Sequence, residues 1–133
     1  MKISAVFVAL AAQNDQPLVA FYQALFDQPP ALWQPGRYAE FALPGLKLGI
    51  FCPKPAHQPE FFDPSRDPQA PNQAGRGSLS LCLEVESLEA AIERLNAIGY
   101  PPTASITQAS HGRELYAYDP AGNRLILHEA SSG

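Results

Sequence analysis

Residues 113–129 read RELYAYDPAGNRLILHE. Two runs that alternate apolar and polar residues flank DPAGN, which is the pattern of a half-buried antiparallel pair. With Pro120-Ala121-Gly122 as a three-residue loop, Tyr118 pairs with Arg124, Tyr116 with Ile126 and Glu114 with His128. Gly122 supplies the positive φ that such a loop needs. Leu125 and Leu127 then share the side that packs beneath helices. Arg124, Ile126 and His128 share the other, so Ile126 is a bare aliphatic in an otherwise polar row.

Working outward, the strands of this hairpin are expected at Glu114–Tyr118 and Arg124–His128, with a further strand at Thr103–Gln108. Upstream, Leu79–Val85 alternates as a half-buried strand should, with Leu79, Leu81, Leu83 and Val85 inward and Ser80, Cys82 and Glu84 outward. Ser87 caps a helix whose stripe is Leu88, Ala91, Ile92, Leu95 and Ile98, stopped by Gly99 and Pro101. The first half repeats this order. A strand is expected at Ile3–Leu10, then a helix opened by Asn14, Asp15 and Pro17 with Leu18, Phe21, Tyr22 and Leu25 on one face, ended by Pro29-Pro30. Strands at Arg37–Leu43 and Leu46–Cys52 meet at Pro44-Gly45, and Ala31–Gln34 adds a short one. Both halves read βαβββ with a spacing of roughly 70–77 residues, a duplication and not an array.

The chain of 133 residues is therefore one domain (1–133) made of a first module (1–52), a Pro-rich connector (53–78) and a second module (79–130). In the connector, proline removes amide donors and resists both helix and central strand, so a long irregular segment is expected. Phe61-Phe62 should anchor it on the sheet, on a dimer mate or over a pocket. A net charge of −4 without a basic cluster argues against nucleic-acid binding. No run reaches the ~18 apolar residues of a membrane span. MKISAVFVALAAQ has the outline of a secretory signal, but Val6, Phe7 and Val8 favour the strand reading. Cys52 and Cys82 lie far from any CxxC spacing and read as reduced, packed thiols in a cytoplasmic setting.

FYQALF in the first helix, LCLEVESLEAAIERLNAIG, and GRELYAYDPAGNRLILHE resemble the vicinal oxygen chelate superfamily of glyoxalase I, extradiol dioxygenases, fosfomycin-resistance transferases and bleomycin-resistance proteins. The resemblance implies an α+β fold of two βαβββ modules whose curled mixed sheets surround a cleft, within a homodimer. In its metal-dependent members His and Glu hold a divalent ion that acts as a Lewis acid. Carried over by motif, those positions fall at Ala5, Gly49, Ser80 and Ile126, none a usual ligand. The resemblance therefore points to the metal-free branch typified by bleomycin-resistance proteins, with no metal and no cofactor.

The surface opposite the packed rows holds Glu84, Glu114, Tyr116, Tyr118, Arg124, His128, Lys47 and Phe51, which is either a solvated face with pairs such as Glu114–His128 or a ligand pocket. The expected function is metal-independent binding of an aromatic or oxygen-rich small molecule. Phe51, Tyr116, Tyr118 and Trp33 would supply stacking area, and Arg37, Arg124 or Arg113 would hold an anionic or carbonyl group. Trp33 reads more often as plain core than as a ligand platform, and Arg37 and Arg113 are equally at home on a solvated surface. The alternative is an enzyme with a rebuilt site, either a Glu114–His128 acid–base pair or a metal held by His111, His128, Glu114 and Glu84. A third reading is an interaction module with its face filled by side chains or by the Phe61-Phe62 loop.

Overall fold

The computed structural model describes residues 1–62, 79–109 and 111–131. The chain forms two compact units, Met1–Arg66 and Asp67–Gly133, each with one four-stranded mixed sheet. The first contains β1 (Val8–Ala11), α1 (Asp15–Phe26), β2 (Leu32–Gln34), β3 (Tyr38–Leu43) and β4 (Leu46–Phe51) in the order β1-β4-β3-β2. The second contains β5 (Leu81–Glu84), α3 (Leu88–Ala97), β6 (Thr107–Ala109), β7 (Gly112–Tyr118) and β8 (Arg124–Ala130) in the order β5-β8-β7-β6. In both, the first strand runs parallel to the last and the other pairs are antiparallel. The duplicated βαβββ order is thus present in full.

The cores follow the parity of the strands. In the first unit Leu18, Val19, Phe21 and Tyr22 of α1 are buried, as are Ala39, Phe41, Leu48 and Ile50 of the sheet. The rings of Phe26 and Phe41 meet edge to face at 5.6 Å, the arrangement favoured by their quadrupoles. In the second unit Leu88 and Leu95 of α3 are buried with Leu115, Ala117, Leu125 and Leu127. Leu79, expected on this inward row, is 67% exposed because β5 starts only at Leu81.

Helix ends are set by local chemistry. The Asn14 side chain accepts from Gln16 N at 3.1 Å, and Ser87 accepts from Ala90 N at 3.1 Å, satisfying amides that have no partner within the helix. Pro29-Pro30 do not end α1; Asp27 does, in a left-handed conformation at φ 54°, with Gln28 N donating to Gln23 O. The expected first strand at Ile3–Leu10 is shifted. It begins at Val8, where pairing with Leu48 begins, and residues 3–7 lie exposed before it. Cys82 is exposed and not packed, and neither cysteine is in a disulfide.

The connector is less irregular at its start than proline content suggests. A 3₁₀ turn at Pro55–His57 leads into the five-residue α2 (Gln58–Phe62). Phe61 reaches the ring of Phe51 at 5.3 Å, edge to face, so the aromatic pair is anchored on the first sheet. Residues 63–78 of the expected connector lie outside the described residues.

The opening hairpin has the expected register: Tyr118 opposite Arg124, Tyr116 opposite Ile126, Glu114 opposite His128. Its loop is organised by Asp119, which is only 4% exposed. The Asp119 carboxylate accepts from Ala121 N and Asn123 N, both at 2.9 Å, and from Asn123 Nδ2 at 2.8 Å. Gly122 supplies the left-handed residue at φ 87°.

Candidate functional site

The face of the second sheet turned away from α3 is built of cross-strand rungs. Ser80 leads into a rung with Arg124 and Tyr118, Cys82 into one with Ile126 and Tyr116, and Glu84 into one with His128 and Glu114. Arg124 Nε donates to Ser80 Oγ at 2.6 Å, a charge-assisted bond that fixes the guanidinium. Tyr116 stands in the middle rung, 45% exposed beside half-buried Ile126. Aromatic and apolar surface is thus offered next to a positioned cation.

The third rung differs from expectation. Glu114 and His128 are opposite each other, but His128 Nδ1 is hydrogen-bonded to Glu84 Oε1 at 3.2 Å from the other neighbouring strand. Nδ1–H donates and the carboxylate accepts, so that in the neutral ring Nε2 is the lone-pair nitrogen. The ring of His111, from the turn before β7, lies 4.9 Å from that of His128. Ligand-type atoms of His111, Glu114 and His128 all fall within 4.8 Å of one another.

Arg113 points to the helix side and is not on this face. Its guanidinium makes a bidentate pair with Glu89 at 2.9 Å and also binds Glu129 at 2.8 Å. Glu129 in turn accepts from Leu88 N at 2.8 Å, closing the start of α3. That amide first, and then Arg113, hold the Glu129 carboxyl below its usual range, and Arg113 does the same for Glu89. A guanidinium so engaged ties α3 to the β7–β8 pair, which answers for Arg113 without a ligand.

The metal positions implied by the fold can be placed by the repeat itself. Val8 pairs with Leu48 as Leu81 pairs with Leu125, so Gly49 corresponds to Ile126. By the same register the counterpart of Ser80 is Phe7 and not Ala5, because β1 is shifted towards the helix. Phe7 and Ile126 have no donor atoms. Ser80 Oγ already accepts from Arg124. Gly49 is overlain by Tyr38, whose Oη lies 2.9 Å from where a Cβ at Gly49 would stand. That phenol donates to Glu40 Oε1 at 2.8 Å, and burial together with this carboxylate pushes its pKa up to about 12. The residues at these positions do not fit the divalent metal that the sequence resemblance implies there.

The other sequence candidates belong to the first unit. Trp33 is 37% exposed and not core; its Nε1 donates to Asp15 Oδ2 at 3.0 Å. Gly36 N donates to the same oxygen at 2.8 Å, and Asp15 is only 3% exposed. Asp15 was visible in the sequence only as a helix-start residue. Burial and then the charge of Asp15 push the Cys52 thiol upward in pKa. Trp33 also borders an open groove of about 450 Å³ along Val19, Ala20 and Gln23 of α1. Arg37 is exposed, and Phe51 is partly covered by Phe61. Replacing Asp15 by alanine strands two donors and should cost about 1.5–3 kcal/mol. Because Trp33 is the single tryptophan, a red shift of its emission in Asp15→Ala checks this directly.

No protein-family model and no curated protein matches the sequence. Solved structures do match along nearly the whole chain. The fosfomycin resistance protein FosX from Listeria monocytogenes superposes with a TM-score of 0.68 at 16% identity, covering 99% of this chain and 97% of that one. Lactoylglutathione lyase from Agrobacterium tumefaciens gives 0.66 at 22%, covering 96% and 95%. A glyoxalase / bleomycin resistance protein from Catenulispora acidiphila gives 0.63 at 20%, covering 95% and 97%. The fold is the one the sequence resemblance implied.

Proposed function

We propose, from its vicinal oxygen chelate fold, that this chain is a small-molecule binding protein of the glyoxalase and bleomycin-resistance type. One observation carries the reading: exposed Tyr116 lies opposite half-buried Ile126, one rung from Arg124, whose guanidinium Ser80 holds in place. An aromatic or oxygen-rich ligand would stack on Tyr116 and Tyr118 and present a carbonyl or anionic group to Arg124. Trp33, Arg37 and Phe51 offer a similar mixture on the first unit. Binding is metal-independent in the sense that the inherited metal positions take no part. A homodimer in the cytoplasm, with no nucleic-acid or membrane partner, completes the reading; no helix among the described residues is long and apolar enough to cross a membrane.

The alternative, an enzyme with Glu114 and His128 as an acid–base pair, is supported by the Glu84 carboxylate that orients the imidazole. Thermal-shift screening of the full chain against aromatic and polyketide-like compounds tests the binding reading. Tyr116→Ala should weaken a hit by about tenfold or more, since aromatic anchors dominate such contacts. Compounds that stabilise wild type and Tyr116→Ala equally would place binding elsewhere.

A further inference from the structure

We propose that His111, Glu114 and His128 form a binding site for a divalent first-row transition ion of the zinc class. It lies on the face of the second sheet turned away from α3, at positions other than those the resemblance implies. Three observations converge on it. The candidate ligand atoms lie within 4.8 Å of one another. His128 Nε2 is buried and has no hydrogen-bond partner among the described residues, which for an imidazole lone pair is an uncompensated desolvation. Its other nitrogen is held by Glu84 Oε1 at 3.2 Å, which is how carboxylates outside the coordination shell fix the tautomer and aim of a metal-binding histidine.

Gly112 lies beside that nitrogen: a Cβ there would stand 3.0 Å from His128 Nε2, so a side chain at this position would crowd the imidazole. Zinc bonds of 2.0–2.2 Å at tetrahedral angles set ligand atoms ~3.4 Å apart. His111 is exposed and sits on a turn, where a change of rotamer can shift its ring relative to the two strand residues. Two imidazoles and one carboxylate select zinc, nickel, cobalt or iron over magnesium and calcium, which prefer oxygen cages. Three protein ligands also leave a coordination position open to water or to a ligand oxygen. The site is one rung from Tyr116 and Ile126, about 6.5–7 Å along the strand. It goes beyond the ligand-binding reading and does not depend on it.

The test is titration of the full chain, purified through chelator and dialysed free of it, with zinc against a chromophoric competitor. Cobalt(II) absorption serves as the second readout. Wild type should take one zinc per chain, give cobalt d–d bands of four- or five-coordinate intensity, and show at least 100-fold weaker binding of magnesium. Glu114→Gln and His111→Ala, at half-exposed and exposed positions that should tolerate change, should each weaken zinc at least tenfold. Glu84→Gln should weaken it by about 10–100-fold through the orientation of His128, while His57→Ala should change nothing. Zinc affinity unchanged in Glu114→Gln and His111→Ala, zinc lost in His57→Ala, or no stoichiometric zinc in wild type would overturn the site. A compound series that depends on Tyr116 in metal-free protein would leave the ligand-binding reading standing on its own.

Discussion

Gly112→Ala is expected to destabilise the second unit by about 2–6 kcal/mol, from positive-φ strain of about 1–3 kcal/mol together with overpacking of about 1–3 kcal/mol. Gly112 has φ 150° at the start of β7. There a methyl group would be driven into the Glu129 carbonyl oxygen and would crowd the Ala130 Cα at 3.1 Å. Both obstacles belong to β8 backbone, which is held in register by the whole β7–β8 ladder. Neither can move without breaking pairs. Against a total stability of about 5–15 kcal/mol for a domain, a loss of this size should lower Tm by about 6 °C or more. Differential scanning calorimetry of the variant beside wild type measures it. The same methyl would press on His128 Nε2, so a folded remnant of Gly112→Ala should also take up less zinc. A Tm within about 2 °C of wild type would mean that β7 and β8 separate here more easily than their register implies.

Asp119→Ala should cost about 2–4 kcal/mol. The Asp119 carboxylate accepts three hydrogen bonds inside the hairpin loop, and bonds to a charged acceptor are worth about 1.5–3 kcal/mol while a stranded buried donor costs about 1–3 kcal/mol. These contributions overlap, because removing one acceptor strands several donors at once. Urea unfolding should show a lower midpoint with an unchanged slope, as the loop is too small to alter the surface exposed. Asp119→Asn should fall between the two. Its oxygen can still accept from Ala121 N and Asn123 N, but its amide would face the Asn123 Nδ2 donor. If Asp119→Ala unfolds at the wild-type urea concentration, the hairpin is held by its strand pairing and not by its loop.

How much was legible in the sequence differs between fold and site. Residue alternation fixed which side of each strand is buried, and loop length fixed the pairing of Tyr116 with Ile126 and Glu114 with His128. Both signals are local and survive without knowledge of distant neighbours. Strand ends were less legible. A strand lasts only as long as its partner, so β1 begins where Leu48 can pair with it and the strand-forming run at Ile3–Phe7 goes unused. Ala5, to which the resemblance carries its first ligand position, lies ahead of β1 for the same reason, and the register of the repeat makes Phe7 the counterpart of Ser80.

The sequence by itself therefore determined a duplicated α+β chain, the inward rows of its sheets, and the aliphatic Ile126 in the polar row of the last strand. Tertiary structure alone decided what the long polar side chains do. Asp15 looked like a helix-start acid and became the acceptor for Trp33 and Gly36. Arg113 and Glu129 joined α3 to the sheet, Phe61 came to rest on Phe51, and His111 reached the rung of His128. The physical reason is one of range. Burial patterns follow from the period of a single strand or helix, whereas a side chain's partner depends on which strands lie side by side and in what register. His128 belongs with Glu84 and not with Glu114 alone, because the parallel pairing of β5 with β8 brings a residue 44 positions away to hydrogen-bonding distance.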